Sequence, residues 1–396
     1  MFCNIHIISS LRLYGFAKNK NYPNYCIKDE TKYSFYSCLD LPLPRKLSIL
    51  DKIVNSLKPS RIIWPILIGL GVSAYLMYRS FDADTFSFLS FTWHTFFYIM
   101  VALLMMAVRD LAYMYRLIIL TDKEIGWRQA FNVIMLWEFS SAISPSVIGG
   151  TGPAIFFLYK EGLSAGKSTA VVLTAIFLDE VFFIVSLPIV YFVFGNGIFP
   201  PESVSVDKII YAFYGGYTAI FIYTLFLTYA LFINPKMFKS LISWVFLFPI
   251  LVRWRLRARK SANQLIQTSK AIKNKPASYW FKSFTATILA WTGRYWVINF
   301  MLIAFFADRY SIADHFLIYG RQLSMWIILL VSPTPGGSGI AEFVFSDFLG
   351  EFIPNDSWYA PLAIFWRLIS YYPYLIIGVI ILPIWLRRVF SKNNTE

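Results

Sequence analysis

Ser146-Val147-Ile148-Gly149-Gly150-Thr151-Gly152-Pro153-Ala154-Ile155-Phe156 and Pro333-Thr334-Pro335-Gly336-Gly337-Ser338-Gly339-Ile340-Ala341-Glu342-Phe343 are two copies of one pattern, G-G-(Thr/Ser)-G-x-Ala-x-Phe. Each copy follows an apolar run and precedes a shorter one. Proline and glycine at this density break a helix. Backbone freed within a bilayer must be buried in protein or line a watery cavity. Two breaks at matching places therefore predict a transporter-like site between the halves of a duplicated chain.

The rest of the sequence supports a membrane setting. Of 396 residues, 57% are hydrophobic and 15% charged, less charge than a soluble domain carries. Several apolar runs reach the roughly 20 residues that a spanning helix needs. Trp93, Trp127, Trp280 and Trp358 fall near predicted span ends, where amphipathic rings favour the interface. The net charge of +14 fits basic cytoplasmic loops, with attraction to anionic lipid headgroups as a further consequence.

Outward from the motifs, the chain reads as about eight apolar segments. Residues 1–45 are polar and lack helical periodicity, as in a disordered extension or a start placed too early. Lys46–Lys58 has interfacial-helix spacing. Ile62–Tyr78 and Trp93–Leu120 are spans, followed by a loop carrying Arg116, Lys123 and Arg128. Ala130–Ile143 leads into the first glycine break, and Pro153–Tyr159 leaves it. Thr169–Phe194 and Ile209–Ile233 are spans. Residues 234–282 hold eleven Lys and Arg with no Asp or Glu, so the loop 234–280 is expected in the cytoplasm. Within it, Leu241–Val252 is too short to span and suits an interfacial helix. Phe281–Phe306 is a span. Phe316–Val331 and Ile340–Leu349 flank the second break, and Trp358–Leu386 is the last span before a basic tail.

Counting sides by charge turns the breaks into hairpins. Arg116–Arg128 and the 234–280 loop are placed inside, and the Asp82/Asp84 and Glu202/Asp207 loops outside. Ala130–Tyr159 must then enter and leave on the cytoplasmic side, and Phe316–Leu349 on the external side. The expected fold is all-α and polytopic, an inverted repeat of span–span–re-entrant hairpin–span. It has six full spans and two hairpins, with repeats at 62–194 and 209–386 in a domain of 46–390, a tail at 391–396, and both termini cytoplasmic. The alternative is eight plain spans with an ordinary loop at each motif.

Chemistry is carried by the motifs and by charges inside spans. A helix starting at a glycine break exposes N–H groups that attract anions, so Gly149, Gly150, Gly152, Pro335, Gly336, Gly337 and Gly339 are candidates for cradling a phosphate. The competing role for these glycines is close helix packing. Intramembrane charges mark a pathway or a pair. Arg294, Asp179 and Glu180 lie near mid-span, and Arg367 about a third of the way into the last span. Aligning the motifs puts Glu180 opposite Arg367, and Arg109 near Arg294. Either Glu180 or Asp179 pairs structurally with Arg367 or Arg294, or the arginines hold a headgroup phosphate while the acids carry a proton or balance the empty site. Arg321, Glu138 and Glu342 rank second, and Asp110 is expected to be a local partner of Arg109.

Other classes are excluded or unsupported. No G-x-x-x-x-G-K-[ST] sequence occurs. His6, His94 and His315 are too scattered for a metal site or a Ser-His-Asp arrangement, and Cys3, Cys26 and Cys38 form no ligand pattern. No cofactor and no nucleic-acid partner are expected.

The segments S-P-S-V-I-G-G-T-G-P-A…K-E-G, L-D-E and S-P-T-P-G-G-S-G-I-A-E-F together resemble the lysylphosphatidylglycerol synthase transmembrane-region family, also called UPF0104 or flippase-like domain. The resemblance covers residues 46–390. It implies the membrane portion that, in multiple peptide resistance factor proteins, translocates aminoacylated phosphatidylglycerol. The soluble aminoacyltransferase domain of those proteins is expected to be absent here. The first expectation is thus flipping of a phospholipid or lipid-linked phosphate across the bacterial inner membrane, with anionic lipids as partners. The second is a membrane subunit of an aminoacyl-phospholipid synthase working with a separate transferase. A homo-oligomer fits either reading.

Overall fold

The computed structural model describes residues 92–144, 150–200, 206–237, 240, 255–306, 309–330, 337 and 340–392. The extension 1–45, the expected interfacial helices Lys46–Lys58 and Leu241–Val252, and the expected first span Ile62–Tyr78 lie outside the described residues.

Among the described residues the chain is helical throughout. The order is α1 (Trp93–Leu120), α2 (Trp127–Ile143), α3 (Thr151–Lys160), α4 (Ala165–Phe194), α5 (Val206–Thr228, continued by a π turn Tyr229–Ile233), α6 (Arg255–Lys273), α7 (Ala277–Phe305), α8 (Ile312–Leu329), α9 (Ile340–Leu349), α10 (Tyr359–Ser370) and α11 (Tyr372–Lys392). Among the described residues, five stretches are long and apolar enough to cross a bilayer: Trp93–Leu120, Ala165–Ile198, Ile209–Ile233, Ala277–Phe305 and Asp356–Val389. The protein is an all-α, multi-pass membrane protein.

α1 and α7 form the central pair and run antiparallel. Near one end the rings of Tyr98 and Phe300 stack at 6.4 Å. At the crossing, a Cβ on Gly293 would lie 2.9 Å from the Met105 carbonyl oxygen, so only glycine admits this approach of α7 to α1. Further along, Arg116 Nη1 donates to Thr287 Oγ1 at 3.0 Å, and past the helix end Lys275 Nζ meets Asp122 Oδ1 at 2.5 Å.

The flanking elements pack reciprocally. α2 lies on α11, where Gly378 accommodates the Phe139 ring, and α8 lies on α4, where Gly320 accommodates Val190. An aromatic-rich core joins α4, α5, α7 and α8, with Phe183 stacked on Trp326 at 3.6 Å between ring centres.

Both broken segments return to the end they start from. Before α2, Glu124 meets Lys167 at 2.7 Å, and Gln129 in its first turn donates to the Glu161 carbonyl at the end of α3. Glu161 also takes Trp385 Nε1 at 2.6 Å and pairs with Arg388. At the opposite end, Tyr310 before α8 donates to the Phe352 carbonyl after α9 at 2.5 Å. Arg321 of α8 ties that rim together by donating to the Gly197 and Phe348 carbonyls and to Glu351 Oε1 at 2.7 Å. At about 1.5 Å per residue, the ten-residue α3 and α9 reach roughly 15 Å, half the hydrocarbon thickness.

Two details differ from the sequence reading. The last span is not one continuous helix. It breaks at Tyr371 (φ −130°, ψ −57°), close before Pro373, which has no N–H to donate to the carbonyl four residues back, that of Ile369. The basic loop also contains a helix that the reading passed over. In α6, Ala262, Leu265, Ser269 and Ile272 form a buried stripe, and its backbone at Gln264–Leu265 packs against Gly166 at the start of α4.

Candidate functional site

The polar interior is built on one face of α1. Arg109, Tyr113 and Arg116 follow at i, i+4 and i+7 and therefore share that face. Arg109 is fully buried. Its Nη1 lies 2.9 Å from Asp110 Oδ1, its Nη2 lies 2.6 Å from Glu138 Oε1 of α2, and its guanidinium sits 5.0 Å from the ring centres of both Tyr113 and Tyr374. The Tyr374 hydroxyl of α11 donates to Asp110 at 2.9 Å. The local Arg109–Asp110 pairing is as expected, and Glu138 moves from second rank to a direct partner.

Arg116 closes the next turn. Its Nη1 and Nη2 donate to the two Asp179 oxygens at 2.6 and 3.2 Å, and Trp291 Nε1 of α7 donates to Asp179 Oδ1 at 2.8 Å. The sequence reading left Arg116 among loop charges. The i, i+4, i+7 spacing from Arg109 was the available sign that it points inward.

The arginine of the last span has a different partner from those expected. Arg367 Nε lies 3.2 Å from Glu342 Oε1, in the first turn of α9, with both side chains buried. Its guanidinium carbon lies 3.8 Å from the centre of the Tyr371 ring, and the Tyr371 hydroxyl donates to the Ala142 carbonyl in the last turn of α2 at 3.0 Å. One connection thus runs from the start of α9, through Arg367 and the helix break, to the end of α2. Tyr374, three residues beyond Tyr371, joins it to the Arg109 cluster.

Pairing of Asp179 or Glu180 with Arg367 or Arg294 is therefore corrected. Asp179 takes Arg116, Arg367 takes Glu342, and Glu180 makes no hydrogen bond or ion pair among the described residues, with its Oε2 buried. Adjacent helical residues point about 100° apart, so Asp179 turns toward α1 and α7 while Glu180 shares its surroundings with Tyr223 of α5.

Arg294 lies beside the crossing of α1 and α7, one residue from Gly293. Its guanidinium is 5.8 Å from the Trp291 ring centre, and its field reaches Glu138. Among the described residues no carboxylate lies within ion-pair distance of it. Arg109, Arg116 and Arg367 thus each have a carboxylate partner, whereas Arg294 has none in contact among the described residues.

The glycines divide. Gly150 abuts α2: a Cβ there would come within 2.0 Å of Ser141 Oγ, a packing role. Gly152 faces open space, and Gly337 has φ +70°, which disfavours any side chain. Gly149, Pro335, Gly336 and Gly339 lie outside the described residues. Among the described residues no group of His, Cys, Asp and Glu side chains could hold a metal ion.

The family described as Lysylphosphatidylglycerol synthase TM region matches residues 62–378. A UPF0104 membrane protein of Archaeoglobus fulgidus is 25% identical over 274 residues, covering 66% of this chain and 78% of that protein. No solved structure matches the chain.

Proposed function

The chain belongs to the lysylphosphatidylglycerol synthase TM-region family, and on that premise we propose that it translocates a phospholipid or lipid-linked phosphate across the bacterial inner membrane. The observation that carries this reading is Arg294. A guanidinium inside a membrane bundle is costly without a counter-charge, and no carboxylate contacts this one among the described residues. A headgroup phosphate supplies that charge in the geometry a guanidinium fork matches.

The antiparallel α1–α7 pair and the reciprocal packing of α2 on α11 and α8 on α4 support an inverted repeat. In this reading the hairpins α2–α3 and α8–α9 enter from opposite faces, and the headgroup passes between their tips while the tails stay in lipid. Arg294, Arg109, Arg367, Asp179 and Glu342, with the motif glycines Gly152 and Gly337, line that route in this reading. The end bearing Lys167, Lys275 and Arg388 faces the cytoplasm, as basic residues favour. A cysteine at Ser164, in a chain otherwise free of cysteine, is then modified by a membrane-impermeant maleimide only after the cytoplasmic face is opened. Labelling of intact cells from outside would reject this orientation.

The deciding measurement is lipid movement in vesicles. Purified full-length protein reconstituted with fluorescent phosphatidylglycerol should expose inner-leaflet label to an external quencher, and empty vesicles should not. Equal protection in both would reject translocation. The family description also favours a second reading, a membrane subunit serving a separate aminoacyltransferase. Co-purification of a transferase with no lipid movement in vesicles would select it.

A further inference from the structure

We infer that Glu180 is a proton-binding site that couples headgroup passage to a proton moving across the membrane. This inference rests on the translocation reading and adds its energy source.

Glu180 lies in the middle third of α4, a 30-residue helix that crosses the bundle. Its Oε2 is buried and makes no hydrogen bond among the described residues. Asp110 and Glu138 are engaged by Arg109, Asp179 by Arg116 and Trp291, and Glu342 by Arg367, whereas Asp347, which like Glu180 has no ion pair among the described residues, lies two residues from the end of α9 rather than in the middle of a spanning helix. The groups acting on Glu180 offer no positive charge. On its own helix the neighbour is Asp179, already held by Arg116 from α1 and by the Trp291 indole from α7. From α5 the neighbour is the Tyr223 phenol. Among the described residues no ionisable group of α3, α6 or α8 acts on it.

A lone carboxylate in such surroundings is expensive, whereas a carboxylic acid is tolerated. The site therefore accepts a proton in this arrangement and releases it only when the surroundings change. On one face of the membrane, water delivers H⁺ to the carboxylate and an O–H bond forms. After the hairpins rearrange, that bond breaks and water takes H⁺ on the other face, leaving the carboxylate to be solvated or paired there. The group's position on the helix that also carries Asp179 links this step to the arginine network, because a shift of α4 that wets Glu180 also strains the Arg116–Asp179 bridge.

The test uses the full-length chain in vesicles with fluorescent phosphatidylglycerol and the membrane potential clamped. One proton exchanged per lipid makes the steady-state leaflet ratio change about tenfold per unit of imposed pH difference. Wild type should show this shift. Glu180→Gln should still equilibrate lipid but ignore the gradient, and Glu180→Asp should recover part of the response. Independently of lipid, the infrared band of a protonated carboxyl in the purified protein at neutral pH should vanish in Glu180→Gln. Lipid movement that ignores the gradient in wild type, a gradient response preserved in Glu180→Gln, or an unchanged carboxyl band would each overturn the coupling alone. No lipid movement by wild type under any gradient would overturn the translocation reading and the coupling with it.

Discussion

Arg294→Ala is expected to slow lipid movement by about 10- to 100-fold while leaving the protein monodisperse and its thermal midpoint close to wild type. The size follows from the charge-assisted contacts that one guanidinium makes to a phosphate, roughly 1.5–3 kcal/mol. The sparing of the fold follows from its surroundings. Among the described residues Arg294 contacts the Trp291 ring and no carboxylate, and Glu138, which its field reaches, keeps Arg109 as its direct partner, so removing Arg294 strands no carboxylate. Arg294→Lys keeps the charge but loses the fork and should recover only part of the rate. Quencher accessibility in vesicles measures all three. A rate unchanged in Arg294→Ala would remove this residue from the route.

Arg109→Ala should act the other way, on the fold before the function. The side chain is fully buried between Asp110 and Glu138 and under two tyrosine rings. Deleting one member of a buried ion network leaves the others uncompensated and typically costs about 3–5 kcal/mol. Two carboxylates would be stranded here, at the place where α1, α2 and α11 meet. The expected result is a large fall in the thermal midpoint of the detergent-purified protein, or loss of folded protein altogether. Adding Glu138→Gln to Arg109→Ala should restore part of the loss, because a neutral amide no longer needs the guanidinium. Equal stability of wild type and Arg109→Ala would show that the cluster is not what holds the three helices together.

The contrast between these two arginines was not legible in the sequence. Both are single charges in apolar runs, and the repeat alignment makes them near-equivalent. Pairing depends on which acid a neighbouring helix presents at the same depth, and Glu138 and Asp179 come from helices whose rotation only packing fixes. The same reason misdirected the pairing of Glu180 with Arg367: repeat equivalence relates two positions by symmetry and does not put them in contact. Arg116 was more accessible to reasoning, since its spacing from Arg109 and Tyr113 already placed it on the inward face.

The sequence by itself determined the membrane setting, the spans it shares with the described helices, and that helices stop and restart between Ile143 and Thr151 and between Leu329 and Ile340. Those follow from local physics: apolar length sets what crosses, and glycine with proline sets where a helix stops. Tertiary structure decided which charges are neutralised, that Gly293 lets α7 close on α1, and that Arg367 and Tyr371 join the start of α9 to the end of α2. These are contacts between residues far apart in the chain, and their distances follow from how whole helices pack rather than from the composition of any one of them.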